Sequence, residues 1–309
     1  MRILIAGATG AIGSRLVPAL VAAGHEVTGT SRSPERAAKL EPLGATPAVC
    51  DALDRDAMVA VAKEARPEVV VHQLTALPKV PDLRKDDIYQ ATDRLRREGT
   101  ANLIAAALEV GARRVVAQSI AFIYAPEGGP VKSEDAPVAT GAPPPFGRTV
   151  AAVRNLETQV TEAPGIGGVV LRYGWLYGPG TYFAPDGFIA GEVRKRRYPV
   201  IGSAAGISSF IHVDDAASMT VAAVDRGAPG IYNAVDDEPI ALRDWLPIYA
   251  TALGAKRPFR VPRFVARLAA GPVVAGMATT LRGASNARGK EELGWTLRYP
   301  SVREGFAAP

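Results

Sequence analysis

Along the first half of the chain, apolar residues cluster in short runs of strand length, and the stretches between them carry helical periodicity. The first run is Arg-Ile-Leu-Ile-Ala at residues 2–6. It stops at Gly7, Gly10 and Gly13, spaced G-x-x-G-x-x-G, and a helix is predicted over 11–23. Further strands are predicted at 26–30, 46–50, 68–72, 114–118 and 169–172, with helices over 55–64, 87–110 and 148–161. The run at 68–72 is almost continuous valine, the pattern of a strand covered on both faces. Six strands alternating with helices, each crossover long enough for a parallel connection, predict a doubly wound α/β sheet. Beyond residue 173 the pattern loosens into turns at Gly178-Pro179-Gly180 and Pro185-Asp186-Gly187 and helical runs over 189–197, 214–225 and 242–253. This predicts a sheet domain over 1–172 and a smaller C-terminal substrate lobe over 173–309, part of which returns to the sheet.

The glycines sit where a strand ends and a helix begins. Glycine is needed there because the backbone turns with positive φ and because a pyrophosphate must approach closer than a Cβ allows. The free N–H groups of the following helix then face that anion. The second strand ends at Ser31-Arg32-Ser33-Pro34. An acid at that junction would accept hydrogen bonds from an adenosine ribose, whereas Ser31 and Arg32, with Arg36 one turn later, leave room and charge for a 2′-phosphate. The cofactor is therefore predicted as NADP(H) in preference to NAD(H). Asp51, followed by Ala52, reads either as a hydrogen-bond acceptor for the adenine amino group or as a turn cap. Leu74, Thr75 and Ala76 follow the fourth strand at its carboxyl end, where ligands bind in such sheets. His72 reads as a core histidine, and the loop over 77–85 is expected to hang over the nicotinamide end.

Composition changes this picture little. The chain has 309 residues, is 48% hydrophobic and 22% charged, and carries a net charge of +5, an ordinary globular balance. Basic residues are scattered apart from Arg194-Lys195-Arg196-Arg197, which reads as a solvated helix face, and aromatics are only 6%; no nucleic-acid partner is expected. Cys50 is the one cysteine and there are three histidines, so neither a disulfide framework nor a metal site is expected, and a reducing cytoplasm suits the chain. No targeting segment is visible. The apolar stretch over 268–281 is too short to span a membrane and reads as a buried or groove-lining helix, so no membrane partner is expected.

Several motifs together resemble the extended and atypical short-chain dehydrogenases/reductases, the NAD(P)-dependent epimerase/dehydratase group, over essentially the whole chain. Gly7-Ala8-Thr9-Gly10-Ala11-Ile12-Gly13 is similar to that family's phosphate loop, Asp51-Ala52-Leu53 to its adenine-contacting acid, and Gly99-Thr100-Ala101-Asn102-Leu103 to its G-T-x-N-L helix. Leu171-Arg172-Tyr173 with Tyr177-Gly178-Pro179-Gly180 resembles the strand and loop near the nicotinamide. Phe210-Ile211-His212-Val213-Asp214-Asp215 and Glu292-Leu293-Gly294-Trp295 resemble later signatures. The resemblance implies a Rossmann-type sheet, and it implies cofactor contacts at Thr9, Ala11, Ile12 and Tyr173 beside the three glycines.

The catalytic positions depart from the family. Its Tyr-x-x-x-Lys pair passes a proton while hydride moves to or from the nicotinamide, but the matching stretch here is Phe146-Gly147-Arg148-Thr149-Val150. The family's serine or threonine falls at Ile120, and its helix asparagine at Arg96. Ser119 and Tyr124 are the nearest hydroxyls and are expected as donors to the substrate oxygen. Ser208 stands where nucleotide-sugar members resemble one another in an arginine, so a small carbonyl or alcohol substrate is favoured over a nucleotide sugar. The expectation is an atypical NADP(H)-dependent oxidoreductase. Two alternatives are a non-redox isomerase, epimerase or dehydratase that retains its cofactor, and a binding protein that senses NADP(H). Related enzymes pair through the helices predicted at 87–110 and 148–161, which implies a possible homodimer.

Overall fold

The computed structural model describes residues 1–85 and 87–307. Seven strands form one parallel sheet: β1 (Arg2–Ala6), β2 (Glu26–Ser31), β3 (Thr46–Val49), β4 (Val69–His72), β5 (Arg114–Ile120), β6 (Gly167–Tyr173) and β7 (Gly230–Ala234). Their spatial order is β7-β6-β5-β4-β1-β2-β3. The chain runs outward from β1 through β2 to β3, then returns to place β4 on the other side of β1, pairing Ile3 with Val69 and Ala6 with His72. That reversal opens a crevice at the carboxyl ends of β1 and β4.

Alternation along β1 builds both layers. Ile3 and Ile5 pack with Leu16, Val17 and Leu20 of the helix Gly13–Ala22 and with Met219 and Ala223 of the helix Val213–Asp225. Leu4 and Ala6 face Met58, Ala62, Leu103 and Ala107 on the opposite side. The second lobe has its own aromatic core, in which Phe183, Phe210, Trp245 and Tyr249 meet mostly edge to face. Residues beyond 173 also serve the sheet layer, through β7 and the helix Val213–Asp225.

Three expectations are corrected. The first helix starts at Gly13 rather than residue 11, because the glycine loop occupies those positions. The helix expected over 87–110 begins at Gln90 and passes through a π-helical turn, Leu95–Gly99, before the α-helix Thr100–Glu109. The apolar stretch 268–281 is not one buried helix. Gly271, at φ +90°, breaks it between the helices Arg263–Ala270 and Pro272–Thr280, and Leu268 is 84% exposed.

Candidate active site at the sheet crevice

The glycine loop is dictated by backbone packing. Gly7 lies at φ +89°, and a Cβ there would stand 2.5 Å from the Gln73 carbonyl oxygen, which follows β4. At Gly13 a Cβ would meet the Ala8 and Gly7 carbonyl oxygens at 2.5 Å. The two strand ends can therefore close the crevice floor only with glycine at both places. The loop turns on a Gly10 N–H bond to Gly7 O at 3.0 Å. Ile12, the N-cap, offers no side-chain acceptor, and the Ser14 and Arg15 N–H groups are taken by the Gly10 and Ile12 carbonyls at 2.9 Å, so it is the N–H groups at 11–13, where the loop enters the helix, that are left for an anion. Thr9, Gly10 and Ala11 are half-exposed and Ile12 is buried beneath them. Gly180, on the loop from the second lobe, comes over the same place, its Cβ position 3.7 Å from the Ala11 Cβ.

At the end of β2, Ser31 is half-buried and Arg32 is exposed. The Arg36 guanidinium donates to the Thr9 carbonyl at 3.1 Å, which fastens it to the glycine loop. Arg32 is exposed and makes no hydrogen bond or ion pair among the described residues. These residues fit a dinucleotide with a 2′-phosphate. Asp51 caps its own turn, accepting from Leu53 N–H at 3.0 Å through Oδ1. The side chain is exposed, and capping through one oxygen is compatible with an adenine contact through the other. Ala52 is buried, with its carbonyl held by Asn102. Leu74 and Ala76 are half-buried and Thr75 is exposed beside the crevice, and Ala76 N–H is fixed by the Thr92 hydroxyl at 3.0 Å.

His72 is a core histidine, bonded to Thr100 at 3.1 Å and to Leu74 N–H at 3.2 Å. Burial and the nearby Arg96 charge push its pKa down to about 4, so it stays neutral. Tyr173 is also taken out of the crevice. Its side chain is 1% exposed, and its hydroxyl is shared between Gln73 and Thr220.

The expected donors Ser119 and Tyr124 are corrected by their partners. Ser119 is 1% exposed and donates to Glu157 Oε1 at 2.7 Å. The same carboxylate takes two bonds from Arg172, at 2.8 and 2.7 Å. Tyr124 donates to Asn233 at 2.6 Å and accepts from Arg172 at 3.0 Å, and burial pushes its pKa up. Both hydroxyls belong to a buried knot that ties β5, β6 and β7 to the helix Phe146–Thr161. Neither presents a proton to the crevice.

The family's acid and base positions are apolar in space as well as in sequence. Val150 is buried, and with Phe146, Ile120, Ile123, Val153, Phe122 and Val138 it forms one hydrophobic cluster. Arg96 does not supply the missing cation freely, because it is bonded at 3.0 Å to Asp93, which Thr149 also bonds. Sequence reasoning missed Phe122 and Trp175. Each follows the carboxyl end of a central strand, β5 and β6, and their rings stack face to face at 3.9 Å with 6° between planes. Both are half-buried. The signal was an aromatic residue two positions beyond each strand end. The loop over 77–85 is tied to the second lobe by the Tyr182 hydroxyl, which donates to the Pro78 carbonyl.

The comparisons agree with this geometry. The family model for the NAD dependent epimerase/dehydratase family matches residues 3–234. A Streptomyces protein named 3-diazoavenalumate denitrifying reductase is 48% identical over 307 residues, covering 99% of each chain. UDP-glucose 4-epimerase of Thermotoga maritima shares the fold with a TM-score of 0.78 at 19% identity, over 99% of this chain and 96% of that one. So does a human epimerase family protein solved with NADPH, with a TM-score of 0.75 at 20% identity, over 99% and 98%. The strand order, the glycine loop and these likenesses make the chain an enzyme of the NAD(P)-binding NAD dependent epimerase/dehydratase family, to which it belongs.

Proposed function

We propose that this protein is an NADPH-dependent reductase that delivers hydride to an electron-poor planar aromatic substrate and donates no proton of its own, its reaction being reductive denitrification of a diazo arene carboxylate. The observation that carries the reading is the apolar cluster at Phe146 and Val150, together with the commitment of Ser119 and Tyr124 to buried partners. A carbonyl that accepts hydride becomes an alkoxide and needs an acid; general acid help is worth about 10² to 10⁴ in rate. An arenediazonium carbon needs none. Its C–N bond breaks, a C–H bond forms with the incoming electron pair, dinitrogen leaves, and the positive charge is cancelled by the hydride. The 48% identical relative carries that reaction class in its name.

With the cofactor's pyrophosphate held at the glycine loop, its reduced nicotinamide would supply the hydride. The protein's own residues do the rest. The Phe122–Trp175 stack offers a flat wall for an aromatic ring, and the hydrophobic cluster keeps water from a charged, hydrolysable carbon. Arg32 selects the cofactor. Arg32→Ala is expected to weaken NADPH binding ten- to hundredfold, about 1.5 to 3 kcal/mol for one charge-assisted bond, with NADH affinity unchanged; titration by nicotinamide fluorescence checks it, and an equal loss for both cofactors rejects the selection.

The test of the reaction is stoichiometry. Purified protein, NADPH and an arenediazonium carboxylate are expected to yield one NADPH oxidised per dinitrogen released, with a panel of simple ketones at least about a hundredfold slower. Ketone reduction at a comparable rate, or dinitrogen release without NADPH oxidation, would reject the reading.

A further inference from the structure

Two sequence features are left unused by the crevice: the run Arg194-Lys195-Arg196-Arg197 and the segment around the helix Arg263–Ala270. The structure brings them to one surface. Strand Val200–Ile201 pairs in parallel with strand Arg260–Val261, Val200 N–H bonds the Phe259 carbonyl at 2.9 Å, and the Arg196 guanidinium lies 5.7 Å from the Phe259 ring centre. Residues 245–290 contain eight lysines and arginines and no acidic residue. Lys256, Arg257, Arg260, Arg263 and Arg267 are exposed, as is the whole run 194–197.

The apolar residues at the centre of this patch point the wrong way for a core. Helix Arg263–Ala270 buries Ala266 against the lobe. Phe264 and Leu268, one turn apart on its outer side, are 67% and 84% exposed, and Phe259 is 41% exposed. A helix with an aromatic and aliphatic outer ridge flanked by arginines matches an anionic bilayer surface, the ridge entering the acyl boundary while the cations meet headgroups. A second copy of this chain would set cation against cation. Nucleic acid would answer the charge but leave Phe264 and Leu268 without a function. A bilayer accepts protruding side chains of any shape, so it suits a ridge better than a protein partner, which would need a matching groove.

We propose that this face is a peripheral docking surface for membranes rich in anionic lipid, with the helix Arg263–Ala270 lying in the interface. No helix of the described residues is long and apolar enough to cross a membrane, so the contact is a surface one. It stands apart from the reaction assigned to the crevice.

The experiment is co-sedimentation of the whole protein with vesicles of phosphatidylcholine alone and of phosphatidylcholine with about a third phosphatidylglycerol, at low and high salt. Binding only to the anionic vesicles, weakened by salt, is expected. Arg263→Gln with Arg267→Gln should reduce it about tenfold or more, each cation near the surface being worth about fivefold, and Phe264→Ser with Leu268→Ser should reduce it similarly. These side chains are exposed, so the variants are expected to keep the parent circular dichroism and NADPH affinity. Absence of binding to anionic vesicles overturns the proposal. So does equal binding to neutral ones, binding indifferent to loss of the apolar pair, or a self-association in light scattering that the same substitutions abolish.

Discussion

Replacing Glu157 by alanine should lower stability by about 3 to 5 kcal/mol, because it leaves the Arg172 guanidinium buried without its carboxylate. Both side chains are nearly inaccessible, at 7% and 5% exposure, and they meet at 2.7 Å. The loss reaches further than one ion pair. Ser119 loses its acceptor, and Arg172, freed on one side, also holds Tyr124 and the Glu134 carbonyl, so three strands lose their common anchor. Urea unfolding followed by tryptophan fluorescence measures it. Ser119→Ala, which removes one neutral donor to a carboxylate that keeps Arg172, should cost only about 1 to 2 kcal/mol. A Glu157→Ala loss below about 1 kcal/mol would show that the knot is not the anchor described.

The second large effect is expected at Gly7. Alanine there must adopt φ +89° and place its Cβ 2.5 Å from the Gln73 carbonyl, and no flexible side chain is available to yield. The strand ends of β1 and β4 must part, which moves the loop that faces the anion. NADPH affinity should fall by at least about a hundredfold, about 3 kcal/mol, as read by isothermal titration on variant protein shown to be folded. Gly10, whose nearest neighbour to a Cβ position is Gly7 O at 3.3 Å, should tolerate alanine better as regards folding. A Gly7→Ala protein with parental affinity would contradict the packing argument.

These two sites differ in how far sequence could see them. The glycine loop was legible because steric necessity fixes residue type: no side chain fits at position 7 against the Gln73 carbonyl. The central strands were legible for a related reason, since valine runs covered on both faces look alike wherever they occur. β7 was not recognised, because Gly-Ile-Tyr-Asn-Ala is short and carries an asparagine whose need for Glu134 and Tyr124 exists only in three dimensions. Ser119 and Tyr124 misled for the same reason. Position at a strand end predicts proximity to the crevice, but the direction of a hydroxyl is set by partners 38 and 109 residues away, Glu157 and Asn233. Hydropathy alone could not tell that the run 268–281 breaks at Gly271 and turns Leu268 outward.

The absence of Tyr-Lys chemistry was legible as Phe146 and Val150, yet its meaning was not. From sequence, two missing groups suggest that others have moved in. The structure shows apolar packing at those positions and buried partners for the nearest hydroxyls. A site so built favours reactions in which the substrate, not the protein, resolves the charge that hydride brings.

The decisive measurement is the solvent isotope effect on kcat/KM for the proposed NADPH-dependent denitrification, taken in light and heavy water across about pH 6 to 8. His72, held down to about 4, and Tyr173, pushed up to about 12, do not titrate in that window. A ratio close to one and a flat profile are expected, unchanged in Tyr124→Phe protein that is folded. A ratio of about two or more, or a rate that falls with Tyr124→Phe at full cofactor occupancy, would show a protein proton in flight and contradict the proposed function.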